Sequence, residues 1–133
     1  MTVTLQFITK KPSHEEDGLQ MACFHMYRLL CDPMVLFHHS VNEGKRGKRA
    51  AALAKAMGQR AGFTDVFLAW PIRQCGFIEL KSVAGRFSDS QTDFRDWCMA
   101  AGFRWGEARS VTDFKSILQD WGVPFKVRPA SDR

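Results

Sequence analysis

The stretch GFTDVFLAWPIRQCGFIELK, which runs from Gly62 to Lys81, decides the fold that this sequence predicts. It contains two apolar segments joined by a short polar connection, which is the pattern of a β-hairpin. Side chains two positions apart in a strand point to the same face of a sheet, so Glu79 and Lys81 share one face. Asp65 stands at the start of the preceding strand, where pairing of the two strands can bring it alongside Glu79.

The charged side chains in this apolar hairpin have two interpretations. Burying a carboxylate and an ammonium is costly unless they are paired or bind a metal. Two acids and a lysine at strand ends form a divalent-metal site of the kind that hydrolyses phosphodiesters. The alternative is ordinary surface chemistry, because Glu-x-Lys pairs are common on half-exposed strands. The spacing from Asp65 to Glu79 and Lys81 is a weak pattern by itself, so the surrounding sequence has to decide.

The size and charge of the chain indicate a single domain with a polyanionic partner. The 133 residues suffice for one domain with its own core, and we expect residues 1–133 to form it. With 19 basic and 14 acidic residues the net charge is +5, which suits nucleic acid first and an anionic membrane surface second. The four cysteines show no C-x-x-C spacing, so reduced thiols are expected rather than zinc or disulfides.

The sequence pattern contains no targeting signal. No stretch near the amino terminus has the apolar core of a signal peptide, and no apolar run approaches the ~18 residues of a membrane-spanning helix. We therefore expect a cytoplasmic location.

The segments around the hairpin predict elements in the order helix, strand, helix, strand, strand, helix, strand, helix. Residues 1–12 alternate weakly and predict an edge strand or an N-terminal arm, and Ser13 is the expected N-cap of the first helix. Ser88 and Gln91 match a capping box at the start of the third helix. Residues 122–133 are expected to form a loose basic tail. The order predicts a mixed sheet flanked by helices, an α/β architecture.

A basic segment lies between the first predicted strand and the hairpin. No acidic residue occurs between Glu43 and Asp65, and residues 50–57 favour a helix. A basic loop followed by a basic helix suits contacts with the phosphate backbone of DNA, whereas the alternative is a solvated helix face. The candidate DNA-binding residues are Asn42, Lys45, Arg46, Lys48, Arg49 and Arg60.

Four runs of residues, taken together and in order, resemble the VRR-NUC domain, the virus-type replication-repair branch of the PD-(D/E)XK nuclease superfamily. The runs are NEGKR at 42–46, GQRAGFTD at 58–65, FIELK at 77–81 and SDSQ at 88–91. The resemblance covers roughly Glu15 to Trp121 and implies a restriction-endonuclease-like core. Two positions depart from the family pattern, because Val41 and Thr64 stand where proline is usual.

The resemblance implies a catalytic set consisting of Glu16, Asp65, Glu79, Lys81 and Gln91. Asp65 and Glu79 would bind Mg²⁺ or Mn²⁺, with the backbone carbonyl of Leu80 as a further ligand. Glu16 is an additional candidate ligand, and its alternative is an acid in the first turn of a helix, where the helix dipole favours it. Lys81 would orient or activate the attacking water.

The function implied by the resemblance is that of a metal-dependent DNA endonuclease acting in replication, recombination or repair. Stand-alone members of the family resemble nucleases that cut branched DNA, such as Holliday junctions, as homodimers. The expected setting is a bacterial or phage-infected host, with branched DNA as the partner. The alternative is a non-catalytic DNA-binding module that keeps the nuclease fold, and a protein-binding subunit has less support.

Overall fold

The computed structural model describes residues 2–40 and 47–127, with side chains from residue 15 onward. This part of the chain contains four helices and four strands in the predicted order. They are α1 Thr2–Leu30, β1 Leu36–His39, α2 Lys48–Ala56, β2 Val66–Trp70, β3 Gln74–Leu80, α3 Asp89–Ala101, β4 Arg104–Ala108 and α4 Val111–Asp120.

The strands form one mixed sheet in the order β1-β2-β3-β4. β2 pairs antiparallel with both β1 and β3, whereas β3 and β4 run parallel. Parallel neighbours need a crossover connection, and α3 provides it. The turn between β2 and β3 has φ values of 66° at Ile72 and 59° at Arg73. Trp70 pairs with Gln74, so a three-residue loop with two positive φ values joins the strands. The predicted hairpin is confirmed.

Helices cover both faces of the sheet, as the α/β prediction required. One face carries the larger core, where Ile78 and Leu80 pack with residues of α1 and α4. The other face carries a smaller core of Phe77 with Phe94 and Cys98 of α3. Alternation along β3 therefore divides its side chains between two cores, and residues 76–80 of this doubly covered strand are all buried.

The helix start predicted for α3 is confirmed in detail. The Ser88 hydroxyl accepts a hydrogen bond from the Gln91 N–H at 3.2 Å, and the Ser88 N–H donates to Gln91 Oε1 at 2.9 Å. These reciprocal bonds satisfy two of the N–H groups that a helix start leaves without partners. Gly102 ends the helix with a φ of 82°, a conformation that suits glycine.

An indole lies across two glycines of neighbouring strands. Trp121, at the end of α4, packs so close to the sheet that a Cβ at Gly76 would lie 2.4 Å from its ring. A Cβ at Gly106 would lie 3.4 Å from the same ring and 3.0 Å from Ile117. Glycines on β3 and β4 therefore create the flat area on which the end of α4 rests.

The predicted start of the first helix is wrong. Residues 1–12 were expected to form an edge strand or an arm, with Ser13 as N-cap, but α1 already begins at Thr2. Once a helix exists, each further residue adds a hydrogen bond without a new nucleation cost, and this continuation overrides the capping signal at Ser13. Glu16 consequently lies inside α1 and not in its first turn, so the helix dipole does not explain its position.

The expectation of a loose tail over residues 122–133 is also wrong for its first half. Val123 is buried, and Phe125 forms a β-bridge with Cys31. The Lys126 N–H donates to the Leu30 carbonyl at 2.7 Å. Apolar side chains at alternate positions fasten this segment over the end of α1, where they cover the larger core. Residues 128–133 lie outside the described part of the chain.

The cysteines and the helices can be compared with the sequence predictions. Cys23, Cys31, Cys75 and Cys98 are all free thiols. Within the described residues, no helix is long and apolar enough to cross a membrane.

Candidate active site

The antiparallel pairing of β2 and β3 brings the two predicted acids together. Val66 pairs with Ile78, so the next position places Asp65 beside Glu79. Asp65 Oδ2 accepts a hydrogen bond from the Leu80 N–H at 2.9 Å. Asp65 also bonds through its backbone carbonyl, which accepts from the Ser40 N–H at 2.8 Å. Strand pairing and these bonds hold the carboxylate of Asp65 at the end of β3.

Glu79 is the more enclosed member of this carboxylate pair, with only 2% of its surface exposed. Burial raises the pKa of the Glu79 carboxyl to about 10, and the hydrogen bond to the Asp65 side chain and the charge of Asp65 act in the same direction. The nearby Lys81 ammonium opposes this rise. Without a cation, therefore, the Glu79 carboxyl keeps its proton at neutral pH.

Gln91 links the start of α3 to this pair. Its Nε2 donates to Glu79 Oε2 at 3.4 Å, while its Oε1 accepts the Ser88 N–H at 2.9 Å. The Ser88–Gln91 capping box thus fixes the orientation of an amide that contacts the buried carboxyl group. The Gly62 backbone packs against the same helix start, since a Cβ at Gly62 would lie 2.1 Å from the Ser90 carbonyl oxygen.

Lys81 follows the pair on the same face and is also buried, with 8% of its surface exposed. Its Nζ lies 5.7 Å from the centre of the Phe87 ring, within the range of a cation–π interaction. Among the described residues, no carboxylate oxygen lies within the 4.0 Å of a salt bridge to this ammonium. A buried ammonium held by an aromatic ring keeps its N–H donors available for a ligand.

Glu16 reaches the same end of the sheet from α1. The Ser82 N–H lies within hydrogen-bonding reach of its carboxylate, and Lys81 and Asp65 are close enough to act on it. Partial burial raises the pKa of Glu16, and the charge of Lys81 opposes that rise. Within the described residues, however, no three His, Cys, Asp or Glu side chains stand close enough to hold one metal ion. Glu16 borders the Asp65–Glu79 pair, and its role as a further ligand stays a prediction.

The donors at this end of the hairpin fit a hard divalent cation. Carboxylate and carbonyl oxygens are the ligands that Mg²⁺ and Mn²⁺ prefer, and such ions usually keep several waters. Asp65 and Glu79 supply two carboxylates. In an antiparallel pair, the N–H and C=O of one residue face the same neighbour. The Leu80 carbonyl therefore faces the side on which its N–H meets Asp65, which is consistent with a third ligand.

Arg109, just after β4, is a residue whose role the sequence did not reveal. Its Nη1 donates to the carbonyl oxygens of Ser82 at 2.8 Å and Gly85 at 2.7 Å, and its Nε donates to the Glu107 carboxylate. The guanidinium also lies 5.8 Å from the Phe87 ring, the ring that Lys81 contacts. Arg109 thus fastens the loop that follows Lys81.

The predicted DNA-binding residues divide into three groups in the structure. Lys48 and Arg49 are exposed on α2, a helix without any buried residue. Arg60 is exposed and lies over aromatic rings of α3, 5.3 Å from the centre of Phe94. The other three, Asn42, Lys45 and Arg46, lie outside the described residues.

The mixed sheet lies between helices and carries an acidic pair and a lysine at one end of its central hairpin, which defines an α/β protein. A family model described as the VRR-NUC domain matches residues 12–112. The chain therefore belongs to the VRR-NUC domain family, whose members are generally nucleases.

Solved structures resemble this fold. A structure described as a VRR_NUC domain protein aligns with a TM-score of 0.65 and 19% sequence identity, over 82% of this chain and 89% of the other. A second, described as a VRR_NUC domain, aligns with a TM-score of 0.56 and 15% identity, over 79% and 95%. The comparison with curated proteins gave no match. At these identities the structural likeness concerns the fold.

Proposed function

We propose that this protein is a divalent-metal-dependent deoxyribonuclease that hydrolyses phosphodiester bonds in branched DNA. The observation that supports it most is the buried contact between Asp65 and Glu79 beside Lys81, in a chain of a nuclease family. A fold that needed only stability would gain little from these groups, because buried charges stabilise less than apolar side chains of similar size. Their retention at one end of the hairpin therefore favours chemistry.

Asp65, Glu79 and the Leu80 carbonyl are the groups that would hold Mg²⁺ or Mn²⁺ in this protein. When bound, such an ion lowers the pKa of its water and offsets negative charge on a phosphate. The proton on the Glu79 carboxyl would have to leave before both carboxylates could act as ligands.

Lys81 and Gln91 act on the reactants from fixed positions. The Lys81 ammonium, held against Phe87, is available to hydrogen-bond a water or a phosphate oxygen and to offset charge that develops there. Gln91 keeps the Glu79 carboxyl in one orientation through its Nε2 donor. Arg109 holds the loop after Lys81, which limits how far that ammonium can move.

DNA is the proposed substrate because the chain is basic and presents exposed basic side chains. The net charge is +5, and Lys48 and Arg49 are exposed on a helix that buries nothing. Such residues contact phosphates irrespective of sequence. The preference for branched DNA and the action as a homodimer are parts of the proposal that rest on the family resemblance.

Cleavage assays test the proposal directly. Synthetic four-way junctions, flapped duplexes and linear duplexes of matched sequence are incubated with Mg²⁺, Mn²⁺ or EDTA, alongside Glu79→Ala and Lys81→Ala. We expect cleavage of branched DNA with either metal, none with EDTA, and junction binding that persists in both variants. Light scattering of the free protein and of the complex reports the dimer.

Two outcomes would overturn the proposal. If both variants cut as fast as the parent, the site is misassigned. If the parent binds junctions tightly and never cuts with either metal, the protein is a DNA-binding module that retains the nuclease fold.

A further inference from the structure

An aromatic surface formed by Trp97 and Phe103 lies on the α3 side of the sheet, and Arg60 lies at its edge. The two rings are stacked, with centroids 5.4 Å apart and planes 16° apart. Their exposed fractions are 45% for Trp97 and 41% for Phe103. Arg60 Cζ is 5.9 Å from the centre of the Trp97 ring. The surface therefore combines partly exposed aromatic rings with a nearby cation.

The aromatic surface is supported from below by the smaller core. Trp97 stacks on the buried Phe94 at 5.9 Å with an interplanar angle of 18°. Phe103 meets the buried Phe77 edge-on at 6.1 Å. Rings fixed in this way lose little conformational freedom when a ligand binds, which makes them efficient contact groups. Phe94 and Phe77 are buried members of this core, whereas Trp97 and Phe103 stay partly exposed beside it.

Trp97 of the aromatic surface lies on α3, and the first turn of α3 contacts Glu79 of the acidic pair. Gln91, in the first turn of α3, contacts Glu79, and Trp97 follows about 9 Å further along the helix axis at 1.5 Å per residue. The segment from Arg60 to Gly62 connects the two places, because Gly62 packs on the Ser90 backbone while Arg60 lies over Trp97.

We propose that the aromatic surface of Trp97 and Phe103 stacks an unpaired nucleobase of the DNA, with Arg60 contacting the adjoining phosphate. This inference rests on the proposed DNA-cleaving function and specifies which feature of a branched substrate the protein binds. Every base has a flat π-face, so such a contact is tolerant of sequence and selects for a base that is free to leave its stack.

The charges on α3 favour an unpaired base over a duplex. Asp89, Asp93 and Asp96 are exposed on this helix, and only Arg95 balances them, through a contact of 3.2 Å to Asp96. Asp93 lies one turn before Trp97, on the same side of the helix. A duplex lying along α3 would bring two phosphate strands against these acids, whereas a single base on Trp97 can direct its one phosphate to Arg60.

Binding to DNA in EDTA tests the inference without cleavage. The probe is a flapped duplex whose single-stranded arm carries 2-aminopurine one, two or three nucleotides from the branch, and its partner carries abasic residues there. We expect the parent to quench 2-aminopurine fluorescence at one of these positions and to bind the abasic arm about 10-fold more weakly. Trp97→Leu should remove both effects, and Trp97→Phe should retain most of them.

Controls separate this inference from folding and from the proposed function. Phe24→Leu removes an aromatic of similar exposure from α1, on the other side of the sheet, and should leave quenching and affinity unchanged. The abasic arm is a change in the DNA alone, so it needs no variant to fold. Cleavage of the same flap by the parent with Mg²⁺ is measured in parallel.

Two results would overturn the inference. Equal binding of the intact and abasic arms by the parent means that no base is stacked, even if cleavage proceeds normally. A change of oligomeric state in Trp97→Leu, with DNA binding retained, means that the aromatic surface is a contact between protein copies. Absence of cleavage together with quenching would instead overturn the proposed function and leave the base contact in place.

Discussion

The acidic end of the β2–β3 hairpin and helix α2 differ in how the fold holds them. Glu79 and Lys81 are both buried, and hydrogen bonds or rings fix the side chains around them. Helix α2 has no buried residue, and its apolar Leu53 and Met57 are exposed. The hairpin end is thus enclosed by packed side chains, whereas α2 buries none of its own.

This difference indicates how a nuclease of this size can divide its tasks. Groups that act on a scissile phosphate have to stand within a fraction of an ångström of their productive positions. Groups that attract the rest of the DNA act through charge over several ångströms and tolerate motion. Variants in the two regions should therefore differ in kind, with losses of rate at the hairpin and losses of affinity at α2.

The largest effect is expected at Asp65. Asp65→Asn keeps an oxygen for the Leu80 N–H but removes the charge that a cation would bind. We expect cleavage to fall by about 1,000-fold or more, with DNA affinity in EDTA unchanged. Single-turnover cleavage and fluorescence anisotropy measure the two quantities. Asp120→Asn, the same change at an exposed site on α4, is the matched control. A normal cleavage rate in Asp65→Asn would contradict the expected difference between the hairpin end and α2.

A smaller loss of rate is expected at Arg109. Arg109→Lys keeps the charge but cannot bond the Ser82 and Gly85 carbonyls simultaneously in the same geometry. Misplacement of Lys81 should lower kcat by about 100-fold with little change in KM. Arg95→Lys, at an exposed arginine of α3, should leave both unchanged. If KM rises while kcat is preserved, Arg109 contacts the DNA and does not position Lys81.

Glu79→Gln should increase the stability of the protein while it lowers activity. The folded protein keeps the Glu79 proton up to about pH 10, whereas the unfolded chain releases it near the ordinary 4.5. Between these values the folded state binds more protons, so the free energy of unfolding decreases as the pH rises. Glu79→Gln has no proton to lose and should be more stable than the parent by about 2 kcal/mol at pH 7 without metal.

Urea unfolding of both proteins at pH 5, 7 and 9 in EDTA measures this prediction. The advantage of Glu79→Gln should grow with pH and disappear when Mg²⁺ stabilises the parent. A constant difference between the two proteins across this range would show that Glu79 is ionised in the folded state.

The smallest effect is expected on α2. Lys48→Gln combined with Arg49→Gln should weaken DNA binding by about 10-fold and reduce the slope of log K against log salt by about two. Thermal stability should not change, because the helix buries nothing. Lys115→Gln, on α4, is the control for a basic residue elsewhere. An unchanged salt slope would place the DNA on another surface.

The sequence allowed prediction of the elements whose signals are local. The alternation along β3 and the capping box at Ser88 and Gln91 each depend on residues a few positions apart, and both are confirmed. The start of α1 was missed because a helix can continue through a capping signal at Ser13. The bridge between Cys31 and Phe125 was missed because it joins distant parts of the chain, and neither partner has a local signal for it.

The candidate site also combines features with a local sequence signal and features that depend on distant parts of the chain. Asp65 and Glu79 could be paired from strand alternation, and the structure brings them into contact. The bonds of Arg109 to loop carbonyls could not be predicted, because any backbone carbonyl is an equivalent acceptor and only the folded chain selects which ones are near. The parallel pairing of β3 with β4 makes that approach possible, and parallel register has no signature in a single sequence.

The position of Trp121 over Gly76 and Gly106 has a consequence for how this sequence can diverge. The indole fills a space that two strands leave open together, so no one of the three positions can change size alone without displacing the end of α4. Homologous chains with a bulkier residue at either glycine should carry a smaller one in place of the tryptophan. Compensating exchanges of this kind, followed across many relatives, would show that these three positions change together.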